Sequence, residues 1–239
     1  YVYSGKTAAT AFSILRGRKY KRAIVIAPSH SYRLQGLAYG DFDFYKTPLG
    51  SISIDKEAVA KIADACDYAI NAERVHLNEH SLEVQIPFLQ IVQPDIPIVP
   101  LICGFVEGDI AERISDALLD FFGGENIWII SSDFTHYGRS FGYVPFSGTD
   151  VPEKIRKLDK GAIKKILEID YNGFCEYMES TGATICGENP IRVLLRTTQK
   201  AMKNGAKIVT KNLSYSNSGE MSGDYSHCVS YASIAFNQL

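Results

Sequence analysis

Three short runs of aliphatic residues constrain this 239-residue chain more than any other feature: Arg22–Ala27 (RAIVIA), Ile96–Cys103 (IPIVPLIC) and Asn126–Ser131 (NIWIIS). Each is too short and too continuously apolar for an amphipathic helix, and each reads as a strand buried on both faces. Strands of that kind need helices over both surfaces of their sheet, and the segments between them carry the helical period. Asp55 is predicted to cap a helix reaching about Ile70, with Ala58, Val59, Ile62, Ala65, Cys66 and Ala69 on one face. Further helices are predicted from His80 or Ser81 to Val92, kinked or broken at Pro87, and over Asp109–Phe122, Pro152–Leu167 and Tyr171–Glu179. A last one runs from Asn189 to Lys203, with Asn189 as cap and Pro190 at the first helical position. Phe42–Tyr45 and Ser51–Ile54 read as a hairpin around Thr47–Gly50, and Lys207–Tyr215 and His227–Phe236 as late strands joined by a Ser/Gly/Asn-rich loop. The expected class is α/β, a three-layer sandwich with a mixed sheet, and no linker or repeat divides residues 1–239 into more than one domain.

Composition enters as a set of exclusions. The balance of 25 Lys+Arg against 27 Asp+Glu, a net charge of −2, is not that of a nucleic-acid binder. No apolar run approaches the ~18–20 residues of a membrane span, so none is expected. Five cysteines, odd in number and without a CxxC pair, argue for a reducing, cytoplasmic location and against a disulfide scaffold. The chain opens without Met and without a signal-peptide pattern, and Tyr1 is expected not to be the start of the gene product.

Ligands of open α/β sheets gather beyond the carboxyl ends of the strands. His30 follows the first buried run in Ala-Pro-Ser-His, and Asp133 and His136 follow the third in Ser-Ser-Asp-Phe-Thr-His. His80 stands in Asn78-Glu79-His80-Ser81-Leu82-Glu83, which reads either as a helix cap through Ser81 or Asn78 or as an imidazole placed for proton transfer or metal binding. His76 is read as a surface residue. Cys186 precedes the Asn189 helix, where a helix N-terminus lowers a thiol pKa; Cys66, Cys103 and Cys175 read as core, and His227 and Cys228 as structural. Two chemistries remain open on the residues alone. Cys186, His136 and Asp133 suit nucleophilic catalysis by a Cys–His hydrolase or transferase, with the base oriented by the acid. His30 with Cys186 suits a transition metal, because imidazole and thiolate select iron, copper or zinc over magnesium or calcium. Gly-x-Ser-x-Gly, His-Glu-x-x-His and Gly-rich phosphate loops are absent.

Seven segments in order resemble the Memo (mediator of cell motility) family, known in prokaryotes as AmmeMemoRadiSam system protein B: Tyr1–Gly5, Ala27–His30, Tyr45–Gly50, Glu79–Glu83, Ser131–His136, Ile185–Gly187 with Asn189–Ile191, and Ser214–Ser218 with the final strand. The resemblance implies a fold related to the class III extradiol non-haem iron dioxygenases and a metal site of two histidines and a cysteine. Of these, His30 and Cys186 match as metal ligands, while the other histidine belongs to a Pro-His-Ala-Gly motif upstream of the Tyr-x-Tyr-x-Gly segment at which this chain begins. The site is therefore expected to hold its metal weakly or not at all in this form. His80, Asp133 and His136 match the remaining cleft positions, as acid, base or hydrogen-bonding groups. A cysteine in place of the dioxygenase carboxylate shifts the expected chemistry of iron or copper from dioxygenation toward redox, with O₂ or a small molecule as substrate. The resemblance also implies an alternative, a binding or adaptor module for phosphopeptides or for radical-SAM and AMMECR-type partners, for which Arg33 and Arg139 are the phosphate donors nearest the motifs.

Overall fold

The run RAIVIA becomes a strand whose seven residues are all buried, and the sheet is assembled around it. The structure is a computed structural model describing residues 1–239. In chain order its elements are α1 (Gly5–Ser13), β1 (Arg22–Pro28), β2 (Leu37–Tyr39), β3 (Phe44–Thr47), β4 (Gly50–Ser53), α2 (Lys56–Ala65), β5 (Ala69–Asn71), α3 (Glu73–Leu77) and α4 (Ile86–Val92). There follow β6 (Ile98–Cys103), α5 (Gly108–Leu119), β7 (Asn126–Ile130), β8 (His136–Gly138), α6 (Val151–Leu167), α7 (Tyr171–Thr181), α8 (Glu188–Lys203), β9 (Ile208–Asn217), α9 (Ser218–Ser222) and β10 (His227–Gln238).

The central sheet has the order β5-β2-β6-β1-β7. β1 lies parallel to both β6 and β7, while β2 runs antiparallel to β6, so the sheet is mixed. Helices flank it, as the two-sided burial of its central strands requires: α2 packs on β5 and β6, α8 on β1 and β7, α5 on both of these helices, and α1 and α4 pack together. The architecture is the α/β three-layer sandwich. The principal core holds 33 buried residues, among them Ile24, Ile26, Ile98, Leu101, Ile102 and Ile114. A second antiparallel sheet, β8-β10-β9, covers an 11-residue core with α6, α7 and α8 that centres on Phe174 and Leu195. No helix is long and apolar enough to cross a membrane.

Several local expectations are corrected. The Asp55 helix stops at Ala65, because Cys66 is extended and Ala69–Asn71 leaves as β5 to pair with β2. Strand pairing outweighs the helical period there. Pro87 begins α4 rather than breaking it, since the first turn of a helix has no use for the missing N–H. α8 starts two residues early, with Gly187 at the cap position and Glu188 as its first helical residue. Asn189 instead accepts a hydrogen bond at Oδ1 from the Val106 N–H, at 3.1 Å. His76, expected at the surface, is buried: Nδ1 meets the Tyr45 hydroxyl at 2.6 Å and Nε2 the Ala38 carbonyl at 3.0 Å.

Candidate functional site

Four segments converge beyond the carboxyl ends of β1 and β7. His30 follows β1 by two residues, and Ser131–Thr135 leaves β7. The loop Asn78–Leu82 comes in after α3, and Ala183–Gly187 leads into α8. Serines sew the first three together: Ser81 donates to the Pro28 carbonyl at 2.8 Å, Ser131 to the Ser81 carbonyl at 2.7 Å, and Gln85 to the Ser131 hydroxyl at 2.9 Å. Ser81 therefore caps no helix, and the next turn begins only at Glu83.

Glu79 organises one wall. Its side chain is 1 % exposed, and it accepts from the backbone N–H groups of His30 (2.6 Å), His80 (2.9 Å) and Ser81 (3.0 Å). The His30 Nδ1 lies 2.9 Å from the same carboxylate, and the His80 Nδ1 3.3 Å. Burial pushes the Glu79 carboxyl up, but the hydrogen bonds from His30 and Ser81 more than offset it and hold the group down at about 2. A carboxylate facing Nδ1 makes that nitrogen the donor and leaves Nε2 with its lone pair. The two imidazoles stack with centroids 4.9 Å apart. Ligand atoms of His30, Glu79 and His80 all lie within 4.8 Å of one another. Three backbone N–H groups and the His30 ring converge on Glu79, which places its carboxylate behind the imidazoles as their buttress.

The opposite wall carries Cys186, Asp133 and His136. The Cys186 sulfur accepts the Asp133 N–H at 3.1 Å, and Gly187 donates to the Ser132 hydroxyl at 3.0 Å. Burial first, and then the Asp133 charge, push the Cys186 thiol up to about 12. This reverses the sequence expectation: residence before a helix lowers a thiol only where solvent or a cation supports the thiolate. The Asp133 side chain keeps 44 % of its surface, but that surface faces the confined cleft, and desolvation raises its carboxyl above the usual range despite His136, His80 and His30 nearby. The His136 Nδ1 meets the Thr184 carbonyl at 2.9 Å, while Nε2 faces Asp133 at 4.0 Å. Thr184, not the acid, orients this imidazole.

The structure brings all five predicted residues, His30, His80, Asp133, His136 and Cys186, to one cleft, which continues along β7 as an apolar groove, the two together enclosing about 980 Å³. It does not bring Cys186 into the tight cluster of donors around Glu79. Neither Arg33 nor Arg139 lines the cleft. Glu79 and Thr184 were missed as site residues. Glu79 stood inside a motif already singled out, whereas Thr184 acts from 48 residues away, its hydroxyl accepting the His136 N–H at 2.9 Å and donating to the His136 carbonyl at 2.8 Å, a pairing with no local signal in sequence.

With the geometry in place, the comparisons with known proteins are concordant. A family model described as Memo-like protein matches residues 1–235. A MEMO1 family protein of Thermoplasma volcanium is 34% identical over 234 residues, covering 98% of this chain and 80% of its own length. One from Thermococcus kodakarensis is 31% identical over 248 residues, covering 100% and 84%. The protein memo-1 homolog of Caenorhabditis elegans is 30% identical over 240 residues, covering 98% and 69%.

Proposed function

The chain belongs to the Memo family, and on that premise we propose that its cleft is a metal-dependent redox site in which His30 and Cys186 hold iron or copper. The observation carrying this reading is the buttressed imidazole: Glu79 takes the Nδ1 side of His30 and leaves Nε2 as a donor on the cleft wall that Cys186 also lines. One imidazole and one thiol fit a borderline or soft transition metal and not magnesium or calcium. Bound there, iron or copper would supply one-electron redox chemistry.

The surrounding residues have separate tasks. The Asp133 N–H donates to the sulfur and favours its deprotonated, ligating form. His136, its Nδ1 held by Thr184, offers Nε2 to the cleft as a base. Asp133, with its raised carboxyl pKa, is suited to return a proton. His80 stands 69 % exposed at the mouth, where it can meet an incoming small molecule. A thiol held near 12 is a poor free nucleophile, which counts against the hydrolase alternative.

Metal content measured after anaerobic reconstitution of the full-length protein tests the reading. We expect about one copper or iron per chain, lost in both Cys186→Ala and His30→Ala. Uptake that neither substitution reduces, or no uptake at all, would overturn it.

A further inference from the structure

A second recess lies behind Cys186. Its volume is about 480 Å³, within the range of small-molecule pockets, and it is built on the loops that follow β1 and β6 and on the start of α8. Cys186 lines both this recess and the main cleft, so an occupant of one reaches the sulfur that borders the other.

The lining has a consistent chemistry. Arg33, Gln35 and Asn189 supply donors, and no carboxylate lines the wall. Arg33 is exposed and pairs with no acid. Asn189 spends its carbonyl oxygen on the Val106 N–H, which leaves its NH₂ group available. A further cation, Arg74, sits over the Tyr32 ring at 5.9 Å. Tyr32, Leu34 and Phe105 provide apolar surface beside these donors, and Phe105 is 48% exposed although apolar.

The backbone narrows the ligand further. Phosphate sites draw on free amides of nests or helix starts. Here the amides of Ser29, Gly104 and Phe105 are already committed to Cys103, Gly36 and Leu34 carbonyls at 3.0, 2.8 and 2.8 Å. The one charged side chain on this wall is a single planar guanidinium, which matches a carboxylate in bidentate fashion.

We propose that this recess binds a small organic carboxylate, its anionic group on Arg33 and its apolar body against Tyr32, Leu34 and Phe105. Its service as the substrate's anion pocket rests on the reading of Cys186 as a site residue; the binding itself does not. The probe is benzoate, with benzamide as its neutral counterpart, titrated against the metal-free full-length protein by amide-resolved NMR. Benzoate is expected to shift the signals of Tyr32, Gly104 and Phe105 and to bind about tenfold more tightly than benzamide. Arg33→Gln should erase that preference and Arg33→Lys keep part of it, with the remaining spectrum unchanged as evidence of an intact fold. Equal affinities for the two probes, shifts centred on His136, or an unaltered preference in Arg33→Gln would each overturn the proposal, as would displacement of benzoate by an equal concentration of inorganic phosphate. Because the titration uses metal-free protein, benzoate binding alongside failed metal uptake would refute the metal reading and leave the recess standing.

Discussion

The two carboxylates of the cleft are opposites. Glu79 is almost wholly buried yet sits far below the ordinary range, whereas Asp133 keeps nearly half its surface and sits above it. Burial pushes both upward. What separates them is that three backbone N–H groups and an imidazole converge on Glu79, while no hydrogen bond reaches the Asp133 carboxyl group. Exposure alone therefore misjudges the charge state of a group in a cleft, and donor count corrects it. The same contrast separates structural from chemical roles: Glu79 is locked as an anion, and Asp133 is free to exchange a proton.

The comparison breaks most readily at Glu79. Glu79→Ala leaves three backbone donors and the His30 ring without their acceptor, and should cost about 3 kcal/mol or more in urea-induced unfolding, with Glu79→Gln recovering part of that loss. A loss below about 1 kcal/mol would mean that water replaces the carboxylate and the wall is not built on it.

The opposite wall depends on close packing. A Cβ on Gly187 would lie 2.6 Å from the Ser131 carbonyl oxygen and run into the Ser132 side chain. Gly187→Ala should accordingly destabilise by about 1–3 kcal/mol, by displacing the segment that carries Asp133. Unaltered stability would show that this wall yields where the Glu79 wall does not.

The pH dependence has opposite signs at the two positions. Glu79 titrates at about 2 when folded against 4.5 ordinarily, so its contribution is complete above 4.5 and is lost as pH falls toward 2. Asp133, raised above 3.8, binds its proton more tightly when folded and subtracts stability as pH rises from 3.8 through its folded value. Acid unfolding profiles of Glu79→Gln and Asp133→Asn should therefore differ from the parent in opposite directions, and a shared direction would refute the contrast. The smallest effect is that of Asp133→Asn near neutral pH, expected within about 1 kcal/mol of the parent, because no hydrogen bond is lost with the charge.

Legibility of the fold followed burial. β1 and β6 could be read because a strand covered on both faces is apolar throughout, and α5, α6 and α7 because their buried faces repeat with helical period. β7, expected to be buried on both faces, is instead an edge strand in which only Ile127 is buried and the rest borders the groove. The three-residue strands β2, β5 and β8 are too short to carry a period, and their pairing with distant strands makes them strands at all. His76 was misplaced for the same reason: its partners Tyr45 and Ala38 are 31 and 38 residues away.

By itself the sequence determined the class of fold, its core strands and the five side chains that meet at one cleft. The strands follow from runs of apolar residues, His30, Asp133 and His136 from position after a strand, and His80 and Cys186 from short motifs beside helix starts, all of which are local properties. Only the tertiary structure decided what each side chain is there to do. It assigned Glu79 to buttress the imidazoles, gave the orientation of His136 to a backbone carbonyl, kept the Cys186 thiol protonated and opened a donor-lined recess behind it. Charge state and tautomer depend on how many donors, charges and waters surround an atom within a few ångströms, and those neighbours come from segments far apart in the chain.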